Sequence, residues 1–453
     1  MSYKFIEIKE EIPERIAPAK LPRKPVTEKQ TMRKMAEEFR KGKMIIAQDC
    51  EYSVDDYSTG VSNNVLVVGS VGCGKTRSIV TPNIHAAIGS YVITDPKGNL
   101  YGKYGDYLKS KGYDVILIDF INPERSAKYN PFSFIRKAQD ILKLATVFIN
   151  KRESVGTKAD PFWDNIGTTL LCSLIGYLYE NDEKYGTSDC NITQVMKLLR
   201  KGARTEEYSK VSELALLFDA HKNAIPESWA YEQFENVNTA PIRTYDCIRT
   251  ELASKLSSMD TPELKKMLSG DEFSFRDIAN RKTAVFVNVS DTDRSLDALV
   301  NAFFNQAMNE LCYYADTECE NNRLPIPVRF ILDDFATNCK INEFPRMISS
   351  FRSRAISVML MIQAESQLKA CYGEDASTII SNCDTYAYLG GNDLVTQKSI
   401  SERCDRPMRE VSAMPVGNCW VFRRGSKPVF TKLKNPDNYI EEMLRAKGGE
   451  KGV

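Results

Sequence analysis

The chain has 453 residues, of which 42% are hydrophobic and 27% are charged; these values are typical of a folded globular protein and exclude wholesale disorder. Its 61 Lys and Arg residues nearly balance its 60 Asp and Glu residues, which excludes a wholly cationic protein, so any contact with nucleic acid must come from local basic patches. The 12 cysteines include no C-x-x-C pair and there are only 2 histidines, so neither a structural zinc site nor a histidine-based catalytic triad is expected.

Residues 1–60 are predicted to form an N-terminal arm. Four prolines interrupt its first half, and a charged helix is predicted over residues 27–43. The arm shows neither a signal peptide nor the roughly 20 apolar residues that a membrane span needs, so no transmembrane segment is predicted. Basic residues outnumber acidic ones over residues 1–45, which indicates either a solvated helix face or an arm that docks on nucleic acid or a protein partner.

From residue 61 onward, short apolar runs alternate with helical patterns. The runs predict strands at 65–68, 90–94, 114–120, 283–289, 327–335, 356–364, 385–390 and 418–424. Strands that alternate with helices predict an α/β fold with a parallel-rich sheet covered on both faces.

The residues between the third and fourth predicted strands carry helical patterns without clear strand runs. They predict an all-α domain over 137–278 that interrupts a nucleotide-binding domain made of 61–136 and 279–430. The polar residues 431–453 are predicted to form a C-terminal tail.

The sharpest local pattern is G-x-x-x-x-G-K-T, which follows the first predicted strand directly. Gly69, Gly72 and Gly74 let backbone N–H groups turn inward around phosphate oxygens, and the helix that follows points its positive dipole end at the same anions. Lys75 is expected to contact the β- and γ-phosphates of ATP, and the Thr76 hydroxyl is expected to bind Mg²⁺. The other predicted nucleotide contacts are Cys73 and Arg77.

Polar residues after the later strands supply the rest of a nucleotide-hydrolysing site. Asp333 is expected to hold Mg²⁺ through water and Asp334 to orient or deprotonate the attacking water, although alone they would suggest a solvated acidic turn. Gln363 ends the next strand and either senses the γ-phosphate or simply begins a helix. Arg352 and Arg354 either reach the nucleotide of a neighbouring subunit or lie on the surface of a loop.

These residues, in this order, resemble the type IV coupling proteins, hexameric ATPases that bring DNA–protein substrates to conjugation and type IV secretion channels. The resemblance covers about residues 60–430 and rests on motifs beyond the phosphate loop. They are Arg77, Pro82-Asn83, Thr94-Asp95-Pro96-Lys97-Gly98, Tyr129-Asn130-Pro131-Phe132, Phe162-Trp163, Leu332-Asp333-Asp334-Phe335-Ala336 and Gln363 with Ser366-Gln367-Leu368.

The resemblance implies a RecA-like P-loop NTPase domain interrupted by an all-α domain, and a homo-hexameric ring with ATP sites between subunits. By position in the motifs, it assigns Lys75 and Thr76 to the phosphates and Mg²⁺, Asp333 to Mg²⁺ and Gln363 to the third-motif glutamine. It makes Arg352 the first choice, and Arg354 the second, for an arginine supplied in trans.

Two departures from the family pattern qualify the expected function. Asp334 stands where the family usually has Glu, and the family's usual N-terminal membrane anchor is not seen. The expected function is an ATPase coupling protein that recruits relaxase-bound DNA or protein and helps pump it into the channel. A nucleotide-regulated substrate-docking adaptor with little hydrolysis, which the shorter Asp334 would suit, and a general DNA translocase both stay open.

The resemblance also implies several partners. They are single- or double-stranded DNA bound without sequence preference, relaxase and relaxosome proteins, and a secretion-channel ATPase or a separate membrane anchor protein. The expected location is the cytoplasm, with recruitment to the cytoplasmic face of the membrane.

Overall fold

The computed structural model describes residues 37–149, 161–186, 190–203, 211–338 and 340–437. The strands in this part of the chain are β1 (Lys43–Ala47), β2 (Cys50–Ser53), β3 (Val65–Val68), β4 (Ser90–Asp95), β5 (Asp114–Asp119), β6 (Thr283–Asn288), β7 (Val328–Leu332), β8 (Ile356–Ile362), β9 (Thr385–Tyr388), β10 (Asn418–Arg423) and β11 (Val429–Lys432).

One nine-stranded sheet organises the molecule, with the order β11-β10-β9-β3-β8-β7-β4-β6-β5. The strands from β9 to β5 are parallel, whereas β10 and β11 are antiparallel at one edge. The α/β class and all eight predicted strands are confirmed. The sequence missed β1, β2 and β11 because each is only four or five residues long and shows no clear alternation.

Helices pack on the sheet and also form a separate helical region between β5 and β6. The helices are α1 (Asp56–Thr59), α2 (Thr81–Ala86), α3 (Leu100–Ser110), α4 (Ala138–Ile149), α5 (Pro161–Tyr185), α6 (Ile192–Lys201), α7 (Glu213–Ala224), α8 (Trp229–Asn238), α9 (Ile242–Leu256), α10 (Pro262–Met267), α11 (Phe275–Asn280), α12 (Asp297–Glu318), α13 (Phe335–Asn338), α14 (Phe344–Ser350), α15 (Glu365–Tyr372), α16 (Ala376–Ser381), α17 (Leu394–Cys404) and α18 (Met408–Ser412). None of the helices in the described ranges is long and apolar enough to cross a bilayer.

The region between β5 and β6 is helical. Every described residue from 120 to 282 lies in a helix, a turn or irregular structure. This agrees with the predicted helical insertion, while the predicted domain boundaries remain predictions.

The segment before β3 departs from the expected arm. Residues 1–36, which contain most of the predicted charged helix, lie outside the described residues; residues 37–41 are helical, and a β1–β2 hairpin follows. Buried side chains of the hairpin, such as Met44 and Ile46, pack on one face of the sheet. At the other end of the chain, β11 reaches Lys432, so the predicted tail begins inside a strand; residues 438–453 are not among those described.

Asn83 attaches the hairpin to the helix that follows the phosphate loop. Its amide nitrogen donates to the Ile45 carbonyl at 2.6 Å, and its amide oxygen accepts from the Ile45 N–H at 3.2 Å. These two bonds satisfy a backbone segment that would otherwise be buried without partners. The Pro82-Asn83 motif therefore holds the hairpin in place.

An aromatic cluster joins the other face of the sheet to the helical region. The Phe303 ring of α12 lies 5.1 Å from the Tyr129 ring, 5.3 Å from the Phe275 ring and 6.1 Å from the Phe120 ring, measured between centroids. The Tyr129 hydroxyl donates to the Gln306 side chain at 2.5 Å. The hydrophobic core is thus continuous from the sheet into the helices.

We predict that Phe303→Ala lowers the free energy of unfolding by about 3–5 kcal/mol, because it leaves a cavity in this shared core. Urea denaturation followed by near- and far-UV circular dichroism measures the loss. Leu142→Ala on α4 is the control, since that side chain is 49% exposed and its truncation should change stability by about 0.5 kcal/mol or less. Equal stability of the two variants would contradict the shared core.

Candidate nucleotide site

The phosphate loop connects the end of β3 to a π-helical turn, Thr76–Val80, that continues into α2. Gly72 and Gly74 have φ angles of 79° and 95°, which residues other than glycine rarely adopt. A Cβ atom on Gly69 would lie 2.6 Å from the Cys73 sulfur and 2.9 Å from Leu389 Cβ. Glycine is therefore required at all three positions, as the predicted phosphate cradle demands.

Lys75 is buried at the mouth of this loop. Its ammonium group donates to the Gly69 carbonyl at 2.6 Å and to the Ser70 carbonyl at 3.1 Å. The loop's own carbonyls thus hold the cation beside the place where phosphate oxygens would be cradled. Since these acceptors are neutral, a phosphate would be a stronger partner for the ammonium.

The Thr76 hydroxyl donates to the Asp333 carboxylate at 2.5 Å. Asp333 directly follows β7, which is separated from β3 only by β8. The Asp333 N–H in turn donates to the Thr94 hydroxyl at 2.6 Å, so the end of β4 holds the backbone of Asp333. A hydroxyl and a carboxylate oxygen side by side suit Mg²⁺, a hard cation that prefers oxygen ligands. The assignment of Thr76 and Asp333 to the metal stays a prediction.

The electrostatics of the pair also suit a cation. Burial raises the pKa of Asp333, and the neighbouring Asp334 raises it further, while the Thr76 hydrogen bond and the charge of Lys75 act in the opposite direction. The raised pKa indicates a carboxylate that lacks full compensation for its desolvation. A divalent cation between Thr76 and Asp333 would provide that compensation.

Asp334 and Gln363 complete this edge of the sheet. Asp334 is half-buried and has a φ angle of 51°, an uncommon backbone conformation for a non-glycine residue, and such residues cluster at functional sites. Gln363 directly follows β8, and its N–H donates to the Gln367 side chain at 3.1 Å. Parallel strands β3, β8 and β7 therefore bring Lys75, Thr76, Asp333, Asp334 and Gln363 to one edge.

The other predicted site residues lie elsewhere. Arg352 and Arg354 precede β8, at the amino ends of the strands, and a seven-residue strand of about 23 Å separates them from Gln363. Neither can reach the phosphate loop of its own chain. Arg354 forms a bidentate pair with Asp316, at 2.9 and 2.8 Å. Their role in trans stays a prediction.

Arg77 is paired with a carboxylate near the end of the described chain. Its guanidinium donates to the Asp437 carboxylate at 2.6 Å, and both side chains are largely exposed. This pair attaches the end of the described chain to the phosphate-loop helix. A direct contact of Arg77 with nucleotide also stays a prediction.

Sequence reasoning missed several residues that shape the site. Thr94 and Gln367 belonged to motifs noted in the sequence, but nothing there showed that they hold Asp333 and Gln363. The Ser70 N–H donates to the Gly390 carbonyl at 2.9 Å, and Leu433 Cδ1 would lie 3.9 Å from a Cβ atom on Gly74. These last contacts had no local signal, because they join segments more than 300 residues apart.

The phosphate loop, the Thr76–Asp333 pair and a parallel sheet with β8 between the two motif strands define a P-loop NTPase with a RecA-like fold. A family model described as type IV secretory system conjugative DNA transfer matches residues 13–412, so the chain belongs to this family, that of the type IV coupling proteins. The resemblance noted in the sequence is confirmed.

Individual relatives agree with the family. The type IV secretion system-coupling protein VirD4 of Bartonella henselae is 23% identical over 397 residues, which are 85% of this chain and 60% of that protein. The conjugal transfer protein TraG of Rhizobium radiobacter is 22% identical over 416 residues, covering 87% of this chain and 60% of that protein. The chain therefore spans about three fifths of the length of these relatives.

Solved structures support the fold. The bacterial conjugative coupling protein TrwBdeltaN70, in its unbound monoclinic form, matches with a TM-score of 0.62 and 18% identity, covering 89% of this chain and 93% of that one. The plasmid coupling protein TrwB in complex with ADP and Mg²⁺ matches with a TM-score of 0.60 and 17% identity, over 90% and 93% of the two chains.

We predict that Thr94→Val destabilises the protein by about 1–3 kcal/mol, because it leaves the buried Asp333 N–H without an acceptor. Thr94→Ser keeps the hydroxyl and is the matched control. Urea denaturation without nucleotide measures both variants. A Val variant as stable as the Ser variant would show that the hydrogen bond does not hold Asp333.

Proposed function

We propose that this chain is the ATPase subunit of a coupling-protein ring that recruits relaxase-bound DNA, or a protein substrate, and helps pump it into a conjugation or type IV secretion channel. The contact between Thr76 and Asp333 beside the buried Lys75 carries the ATPase part of the proposal. The match over residues 13–412 to a conjugative DNA transfer family supports the transport part. The TrwB complex with ADP and Mg²⁺ supports nucleotide and Mg²⁺ as the ligands.

Nucleotide binding uses groups that already face the phosphate loop. Lys75 exchanges its two carbonyl partners for the β- and γ-phosphates, and the loop N–H groups receive the phosphate oxygens. Thr76 and Asp333 would hold Mg²⁺, whose charge neutralises the phosphate oxygens when it is bound.

Hydrolysis requires an activated water molecule and compensation for the charge that develops on the phosphate. Asp334 orients this water and accepts its proton. Gln363, on the strand between β3 and β7, senses the γ-phosphate. Arg352 of a neighbouring copy supplies positive charge in trans, with Arg354 as the second choice.

The transport role requires assembly and partners. A homo-hexamer places each phosphate loop against the next subunit. DNA, single- or double-stranded, is bound through its phosphates without sequence preference, so its affinity falls with salt. Relaxase and relaxosome proteins dock on the helical region, and a channel ATPase or separate anchor protein recruits the ring to the cytoplasmic face of the membrane.

Asp334 favours a second candidate function. Its side chain is one methylene shorter than the glutamate usual in the family, so its carboxylate has less reach toward the attacking water. A chain that binds Mg-ATP but hydrolyses it very slowly would act as a nucleotide-regulated docking adaptor. Tight Mg-ATP binding without turnover, in the presence and absence of DNA, would favour this function over a motor.

We predict that Lys75→Ala abolishes ATP turnover while the fold is kept, because the phosphates lose their main cation. Turnover is measured over a series of protein concentrations, with and without DNA, and circular dichroism checks the fold. Lys369→Ala is the control, since that side chain is 68% exposed on α15. Hydrolysis retained by the Lys75 variant would overturn the site assignment.

We predict that Asp334→Asn lowers kcat by about a hundredfold or more, because the amide cannot accept the proton of the attacking water. Asp334→Glu restores the longer carboxylate of the family and should keep or increase kcat. Steady-state turnover at saturating Mg-ATP measures both. An Asn variant with the kcat of the unmodified chain would exclude Asp334 as the base.

A further inference from the structure

Three arginines lie together at the amino ends of the strands that carry the nucleotide site. Arg323 precedes β7, and Arg352 and Arg354 precede β8. The Leu324 N–H donates to the Arg354 carbonyl at 3.1 Å, so the two segments run side by side. Two neighbouring strands thus have the nucleotide site at one end and a cluster of cations at the other.

The three guanidinium groups differ in how their charge is compensated. Arg354 is paired with Asp316 at 2.8 Å, and Arg323 is paired with Asp56 at 2.5 Å. Arg352 donates to the neutral Asp56 carbonyl at 2.9 Å, and no carboxylate in the described ranges lies within ion-pair distance of it. Arg352 is exposed and keeps its full positive charge for an anion outside its own chain.

Arg323 and Asp56 hold the segment that carries Arg352. Asp56 of α1 is 6% exposed, so its pair with Arg323 is largely shielded from water and is stronger than a surface ion pair. The second branch of the Arg323 guanidinium donates to the Arg352 carbonyl at 3.0 Å. The Arg323 guanidinium therefore links α1 to the backbone of Arg352.

The backbone after Arg352 needs such support. Ala355 has a φ angle of 61°, the left-handed conformation that favours glycine, where the chain turns sharply into β8. Surrounding contacts must stabilise a turn of this kind, and strained turns are frequent at functional sites. The Arg323 hydrogen bond lies three residues before this turn.

We propose that Arg323 and Asp56 are positioning residues, which hold Arg352 so that its guanidinium meets the γ-phosphate of a nucleotide bound by the next copy of this chain. The inference rests on the proposed ATPase function. A head-to-tail contact would bring the amino ends of one subunit's strands to the carboxyl ends of the next, and it forms a ring when the rotation between subunits closes. Arg323 acts through Arg352, because the charge of Arg323 is neutralised by Asp56.

The test is Arg323→Gln in the full chain, measured for kcat, KM and Mg-ATP binding. We expect kcat to fall by about tenfold to a hundredfold with KM unchanged, since a catalytic group is misplaced while the subunit's own phosphate loop is intact. Mixing this variant with Lys75→Ala subunits should restore turnover, because those subunits contribute a correctly held Arg352. A purely structural role of Arg323 would show no such rescue.

The controls separate the possible outcomes. Arg346→Gln removes an arginine that is 87% exposed in an ion pair on α14 and should leave kcat unchanged. If Arg323→Gln fails to fold because it leaves the Asp56 carboxylate buried and unpaired, Asp56→Asn with Arg323→Gln replaces the ion pair by two amides and is tested in the same way.

Two results would overturn the inference. One is a folded Arg323→Gln variant with unchanged kcat. The other is a loss of turnover in Arg323→Gln that mixing with Lys75→Ala subunits does not restore, although the same mixing restores the turnover of Arg352→Ala. Loss of turnover in Lys75→Ala would leave the proposed ATPase function standing in either case. Turnover retained by Lys75→Ala would instead remove the proposed function itself.

Discussion

The hydrogen bond between the Thr76 hydroxyl and the Asp333 carboxylate joins two parts of the chain that are 257 residues apart. It forms because β3, β8 and β7 are adjacent and parallel, so that the polar residues after each strand meet at one edge. Asp333 is buried there at an electrostatic cost that a bound cation would relieve. The positions of Asp333, Asp334 and Gln363 beside the phosphate loop depend on this strand order.

The same strand order gives the molecule two chemically different edges. Backbone N–H groups, Lys75 and two carboxylates lie at the carboxyl ends of the strands, where a Mg²⁺–nucleotide complex would bind. Three arginines lie at the amino ends, and one of them, Arg352, has no carboxylate partner among the described residues. Such a difference between the two edges is what the proposed head-to-tail ring with shared sites would require.

The helical region is bound to the sheet by more than its two chain connections. Phe303 and Tyr129 belong to a core that continues from the strands into the helices. Packed side chains, and not only the chain connections, therefore join the sheet to the helical region.

The sequence alone determined the α/β class, eight of the strands and the residues of the phosphate loop, because each of these depends on local patterns. Alternating apolar runs predict strands, and only glycines permit the loop at residues 69–74. It also supplied the motifs that placed Asp333, Asp334 and Gln363 in the site, although it could not show how they are held.

Only the tertiary structure decided which residues act on one another. Some contacts join segments that are far apart in the sequence. Thr94 accepts a hydrogen bond from the Asp333 N–H. Arg323 donates to both Asp56 and the Arg352 carbonyl. The structure also showed that Arg352 and Arg354 lie too far from their own phosphate loop to serve it. Local patterns carry no information on such contacts, because these depend on the order in which strands join the sheet.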